Sequence, residues 1–122
     1  MHPPLSVGTD LVDVARIGRL IRNRKFLQRI FTAEEIRYCR DKKHAAQHFA
    51  VRFAAKEAVW KALATVAGLT GLSHRAIGVR RSPSGQPFVH LDGRLKKYEK
   101  RMALSLSHTH EYAMAVAVYF GR

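Results

Sequence analysis

The sequence predicts a single α+β domain over residues 1–122, with an antiparallel sheet packed around a long central helix. Three observations carry this. The chain has 122 residues, 47% of them hydrophobic, which fits one domain with a modest core. Apolar residues recur at helical spacing through about residue 66. Beyond residue 76 they fall in short, partly alternating runs between turn-forming residues.

Residues 5–12 read as a strand running into a turn. Asp13 is placed to cap a helix reaching about Ile21, with Val14, Ile17, Leu20 and Ile21 as its apolar face. Arg16, Arg19 and Arg22 recur every third residue and drift slowly across another face, and Arg24, Lys25 and Arg29 extend the basic run. Thr32-Ala33-Glu34-Glu35 matches a capping box and places a short helix at about 33–40. A loop at 41–43 leads into the long helix, about 44–66, which Gly68 ends. Strands follow at 77–80, 87–91, 102–107 and 112–120, with turn chemistry at 82–86 and a short helix at 94–101. The last strand alternates Tyr112, Met114, Val116, Val118 and Phe120 with Ala113, Ala115 and Ala117, and its small face predicts close packing against a helix.

Composition narrows the class. No window approaches the roughly 18 apolar residues of a membrane span, and residues 1–4 lack the basic and apolar regions of a signal peptide. The one cysteine, Cys39, allows no internal disulfide and suits a reducing cytoplasm; near a helix end, it reads as a bystander. Twenty-two Lys and Arg against 9 Asp and Glu give a formal charge of +13, which implies an anionic partner.

The long helix carries charge where a core helix should be apolar. At about 100° per residue, Phe49, Phe53, Trp60 and Ala64 form a stripe that Ala50 and Ala54 continue. Glu57 and Lys61 project inside that sector. The simplest reading is an i,i+4 salt bridge, but buried charge normally pairs, binds a metal or meets a ligand. Asp10, two residues after Gly8 at a strand end, is either a turn residue or a second carboxylate. Two such carboxylates suit Mg2+, and an adjacent lysine suits a transferring phosphate. His108, in Ser105-Leu106-Ser107-His108-Thr109, suits phosphate or simple turn chemistry. His44, His48, His74, His90 and His110 read as solvated surface, because only His44 and His48 share helical spacing and no HExxH or paired cysteines accompany them. No P-loop, GxSxG or dinucleotide fingerprint is present.

Five blocks appear in order: Gly8-Thr9-Asp10-Leu11-Val12, Arg29-Ile30-Phe31-Thr32-x-x-Glu35, Arg52-Phe53-Ala54-Ala55-Lys56-Glu57-Ala58-x-x-Lys61-Ala62, Gly85-Gln86-Pro87, and Ser105-x-Ser107-His108-Thr109. Together they resemble holo-acyl-carrier-protein synthase, the small type of 4′-phosphopantetheinyl transferase, from about Val7 to Val118. The resemblance implies the fold of that family and its reaction, in which CoA and an apo acyl carrier protein give holo carrier protein and adenosine 3′,5′-bisphosphate. It implies Mg2+ on Asp10 and Glu57, both catalytic, and Lys61 on the phosphate and leaving group. The proton of the attacking serine goes to Glu57 or to a metal-held water. Arg52 and Lys56 are expected at the CoA phosphates, with Gly85, Pro87, Ser107, His108 and Thr109 lining the nucleotide site.

The resemblance also gives Arg16, Arg19, Arg22 and Arg24 an acidic carrier protein to meet. It implies a cytoplasmic homotrimer with active sites between subunits, serving fatty acid biosynthesis or another carrier-dependent system. Thr9, Trp60 and His110 depart from the usual family residues without removing a proposed ligand. The charge alone would also suit a nucleic-acid-binding module, but the basic runs lack the interleaved aromatics of a stacking surface. A transferase that binds no nucleic acid and no membrane is therefore the expectation.

Overall fold

The sheet and the long helix meet along a seam of residues with almost no side chain. The computed structural model describes residues 5–67, 71 and 73–121. Its strands are β1 (Leu5–Asp13), β2 (Ile77–Arg81), β3 (Pro87–Leu91), β4 (Met102–His108) and β5 (Tyr112–Phe120). Its helices are α1 (Val14–Leu20), α2 (Arg24–Ile30), α3 (Ala33–Arg40) and α4 (Ala45–Ala67), with 3₁₀ segments at His74–Ala76 and Gly93–Arg101. Gly68, expected to end the long helix, lies outside the described residues.

The capping signals act where the sequence places them. Asp13 accepts from the Arg16 amide at 3.1 Å to start α1, and Thr32 and Glu35 form a complete capping box on α3. Asn23 adds a helix that the pattern did not reveal. Its Oδ1 accepts from the Lys25 and Phe26 amides and starts α2, so the basic run breaks into two helices joined by a turn. Arg16 and Arg19 therefore stand on α1, Arg22 in the turn and Arg24 at the start of α2; all four are exposed.

The strands are antiparallel, as expected, and divide into two sheets. One runs β1-β5-β4, with Gly8 opposite Ala117 and Asp10 opposite Ala115; the other is the β2-β3 hairpin. The hairpin is claimed by the helices instead. The Val79 amide donates to Glu35 of α3 and the Ile77 carbonyl accepts from Lys56 of α4.

Helix α4 is enclosed on most sides, by β1, β4 and β5, by α1 and α3, and by β2. Its buried surface is consequently broader than the expected stripe. Ala50, Ala54, Ala55, Ala58 and Ala62 have no exposure, whereas Phe53, Trp60 and Ala64 are only half-buried. Ala113, Ala115 and Ala117 meet the helix from β5 and are also fully buried. At Gly8 the approach is tightest. A Cβ there would stand 1.9 Å from the Ala58 carbonyl oxygen and 2.8 Å from the Ala62 nitrogen. Two residues earlier the buried Ser6 hydroxyl donates to the Ala62 carbonyl at 2.7 Å. Gly8→Ala should therefore cost about 3 kcal/mol in urea unfolding, the upper range for forced overpacking; an unchanged midpoint would refute this contact.

Candidate active site

Because β1 can lie directly on α4, the side chains that follow Gly8 are delivered to the helix. Asp10 faces inward on the same side of β1 as Gly8. The Lys61 ammonium donates to the Asp10 carboxylate at 3.2 Å and to the Thr9 carbonyl at 2.9 Å. Its side chain is 56% exposed, so the lysine reaches past the apolar wall with its head in water. Burial pushes the Asp10 carboxyl above its ordinary range, and the Glu57 charge adds to that, while Lys61 and then Arg16 pull it back. Asp10 and Glu57 are thus close enough to feel each other.

Glu57 does not pair with Lys61, as simple helical spacing suggested. Its Oε2 lies 3.0 Å from Nε2 of His74 instead. The two charges sit on one helix but turn to partners on different elements, one on β1 and one on the 3₁₀ segment before β2. His74 was expected on the solvated surface; it is packed between Phe53 and Trp60. No spacing in the sequence links residues 57 and 74, so only the folded chain reveals the contact.

The donor set suits a hard divalent cation. Asp10 and Glu57 supply carboxylate oxygens that repel one another, and each is now balanced by a cationic or hydrogen-bonding partner. Among the described residues no group of three or more His, Cys, Asp or Glu side chains could form a closed metal cage. Two carboxylates leave coordination positions for water and phosphate oxygens, which is how Mg2+ is usually bound.

A second, cationic cluster lies further toward the start of α4. Arg52, Arg81, His48, His108, Gln47 and Val51 line a recess of about 40 Å3. The Arg52 guanidinium is buried, donates to the His48 carbonyl at 3.3 Å and lies 4.4 Å from the Tyr38 ring centroid. Burial first, then Arg52, Lys42, His108 and Arg81, hold the His48 imidazole below its usual pKa. Arg81 also donates to the Gly85 carbonyl at 2.7 Å, tying the 82–86 turn to the recess. Gly85 has φ +88°, a conformation that favours glycine. Pro87 opens β3 opposite Arg81, and Ser107 and His108 are exposed at the end of β4. The Thr109 hydroxyl accepts from the Glu111 and Tyr112 amides, so in this structure it closes the β4–β5 turn.

Lys56 is a correction. Expected at the CoA phosphates, it has no solvent exposure. Its ammonium lies 2.7 Å from Glu35 Oε1 and donates to the carbonyls of His74 at 3.0 Å and Ile77 at 2.5 Å. One residue along a helix is a rotation of about 100°, which turns Lys56 into the core while Glu57 faces the site. Burial depresses its pKa and Glu35 opposes that shift. Cys39 is likewise buried, with its thiol pushed up to about 11, as a bystander should be. Lys56→Met should leave Glu35 unpaired and destabilise by about 3–5 kcal/mol. Adding Glu35→Gln should recover part of that loss in the same denaturant titration; a neutral single variant would refute the pairing.

A family model described as the 4′-phosphopantetheinyl transferase superfamily matches residues 6–117. The chain is 42% identical over 121 residues to the holo-[acyl-carrier-protein] synthase of Caldanaerobacter subterraneus, covering 94% of each. It is 43% identical over 123 residues to that of Syntrophotalea carbinolica, again covering 94% of each. Among solved structures, the holo-[acyl-carrier-protein] synthase of Neisseria meningitidis superposes with a TM-score of 0.81 at 33% identity, over 93% of this chain and 96% of that one. The Helicobacter pylori enzyme in complex with coenzyme A gives 0.76 at 33% identity, over 91% and 96%.

Proposed function

This chain belongs to the 4′-phosphopantetheinyl transferase superfamily, and from that premise we infer how its own residues perform the transfer. The activity is that of a holo-acyl-carrier-protein synthase: phosphopantetheine passes from CoA to an apo acyl carrier protein. The observation that carries the assignment of residues is the Lys61–Asp10 ion pair where β1 crosses α4, with Glu57 four residues before Lys61 on the same helix and its charge acting on Asp10. The carrier's serine oxygen attacks the phosphorus on the pantetheine side of the pyrophosphate. A new P–O bond forms, the bond to the bridging oxygen breaks, and adenosine 3′,5′-bisphosphate leaves. Glu57 accepts the serine proton, and Lys61 sits where its ammonium can balance the charge gathering on the leaving phosphate. Asp10 and Glu57 would hold Mg2+, which supplies neutralisation of the pyrophosphate charge.

The recess lined by Arg52, Arg81 and His108 supports binding of the CoA nucleotide and its phosphates. Gly85, which bonds Arg81, Pro87, which pairs with Arg81, and Ser107, next to His108 in sequence, extend the proposed site. The exposed arginines of α1 and α2 support docking of an acidic carrier, an encounter that salt should weaken. We read residues 1–122 as one catalytic domain working in a reducing cytoplasm. No helix among the described residues is long and apolar enough to cross a membrane.

Assembly as a homotrimer is supported by the outer face of the β1-β5-β4 sheet. Leu5, Val7, Leu11, Tyr112, Met114 and Phe120 stand between 43% and 66% exposed there, a continuous apolar surface of the kind that marks an interface. Sedimentation velocity should give three times the chain mass, and Leu11→Lys should shift it to one; a monomeric wild type would sink this reading.

Wild-type protein with Mg2+, CoA and an apo carrier should yield a carrier heavier by one phosphopantetheine group. Asp10→Asn and Glu57→Gln should abolish the gain while the far-ultraviolet spectrum is kept, and Lys61→Ala should slow it by about 10²-fold. Mass spectrometry reads both results. Full activity in the two carboxylate variants would overturn the site.

A further inference from the structure

His74 is held both by its ring and by its backbone. Its ring lies nearly parallel to Phe53, 7° between planes and 6.1 Å between centroids, and meets Trp60 edge-on at 5.3 Å. Its carbonyl accepts from the buried Lys56 ammonium. Lys56 is fixed in turn by Glu35 and the Ile77 carbonyl. Ser73 caps the same 3₁₀ segment by accepting from the Arg75 amide. Among the described residues the one polar side-chain contact of the imidazole is Nε2 to Glu57 Oε2, at 3.0 Å. An ionised carboxylate can only accept, so Nε2 carries the proton.

Glu57 is long, partly exposed and free to adopt several rotamers. Without a partner it would have to be ordered anew each time a cation and a serine arrive. We propose that His74 is a positioning residue for Glu57, holding Oε2 so that the carboxylate is set in advance for its cation and for the serine proton. The proposal rests on the transfer reaction above and concerns how one of its residues is aimed. Partners of this outer kind typically change metal affinity or rate by about 10–100-fold.

The test compares His74→Phe, which keeps a ring between Phe53 and Trp60 but has no donor, with His74→Gln, which restores an N–H. His74→Phe should lower kcat by about tenfold or more while KM for CoA stays within about twofold, and His74→Gln should recover most of the loss. A second readout needs no turnover. Mn2+ titrated into protein without CoA or carrier, followed by the emission of Trp60, the only tryptophan, should bind about tenfold more weakly to His74→Phe. Wild-type kcat and Mn2+ affinity in a folded His74→Phe, or a folded His74→Gln no better than it, would overturn the proposal. Should the variants fail to fold, ¹⁵N-histidine spectra of wild type and Glu57→Gln decide: the His74 Nε2 resonance should move, and a fixed resonance overturns it. A wild type that transfers nothing overturns the reaction itself, while the Mn2+ affinities still judge His74.

Discussion

The structure depends on one close approach, the backbone of β1 against the backbone of α4 at Gly8. Any side chain there would collide with the carbonyl of Ala58, and the alanines along both elements allow the same proximity further on. Such packing forgoes bulky apolar side chains at the centre of the domain. In exchange for that burial it brings a strand end within reach of a helix side, and Asp10 and Lys61 meet across it. That ion pair is thus a consequence of backbone spacing: move the strand outward by one methyl group and Asp10 draws away from Lys61.

The other half of the molecule is organised by a buried ion pair. Glu35 completes the capping box of α3, accepts from the Val79 amide and faces Lys56. Lys56 then reaches the carbonyls of His74 and Ile77. Buried pairs seldom add net stability over well-packed apolar residues, because desolvating two charges costs several kcal/mol. Here the pair does something that apolar residues could not. It satisfies backbone groups of a hairpin edge and anchors the segment carrying His74, so that α3, α4 and β2 stand in fixed relation to Glu57.

At the candidate site the surroundings of Asp10 disfavour its charge. Burial and the neighbouring Glu57 raise the Asp10 carboxyl above its unfolded range. A raised carboxyl contributes stability that is full below its unfolded pKa and is lost as pH rises through the folded one. A divalent cation bound to Asp10 would oppose that shift, as Lys61 already does in part.

Local signals in the sequence determined the caps of α1 and α3, the strands, the alanine face of β5, and the choice of Asp10, Glu57, Lys61 and His108 as candidates. These follow from residue type and short spacing, which act over one or two turns of chain. Asn23 is such a signal too, set within the basic run just beyond the expected end of α1. Tertiary structure decided what spacing cannot reach. Lys56 and Glu57 are neighbours in one motif, yet a rotation of about 100° sends one to the core and the other to the site. Glu57 found His74 rather than Lys61 because the 3₁₀ segment 17 residues away packs against the helix. Which charge is buried and which is free depends on everything packed around the helix, and that is a property of the fold.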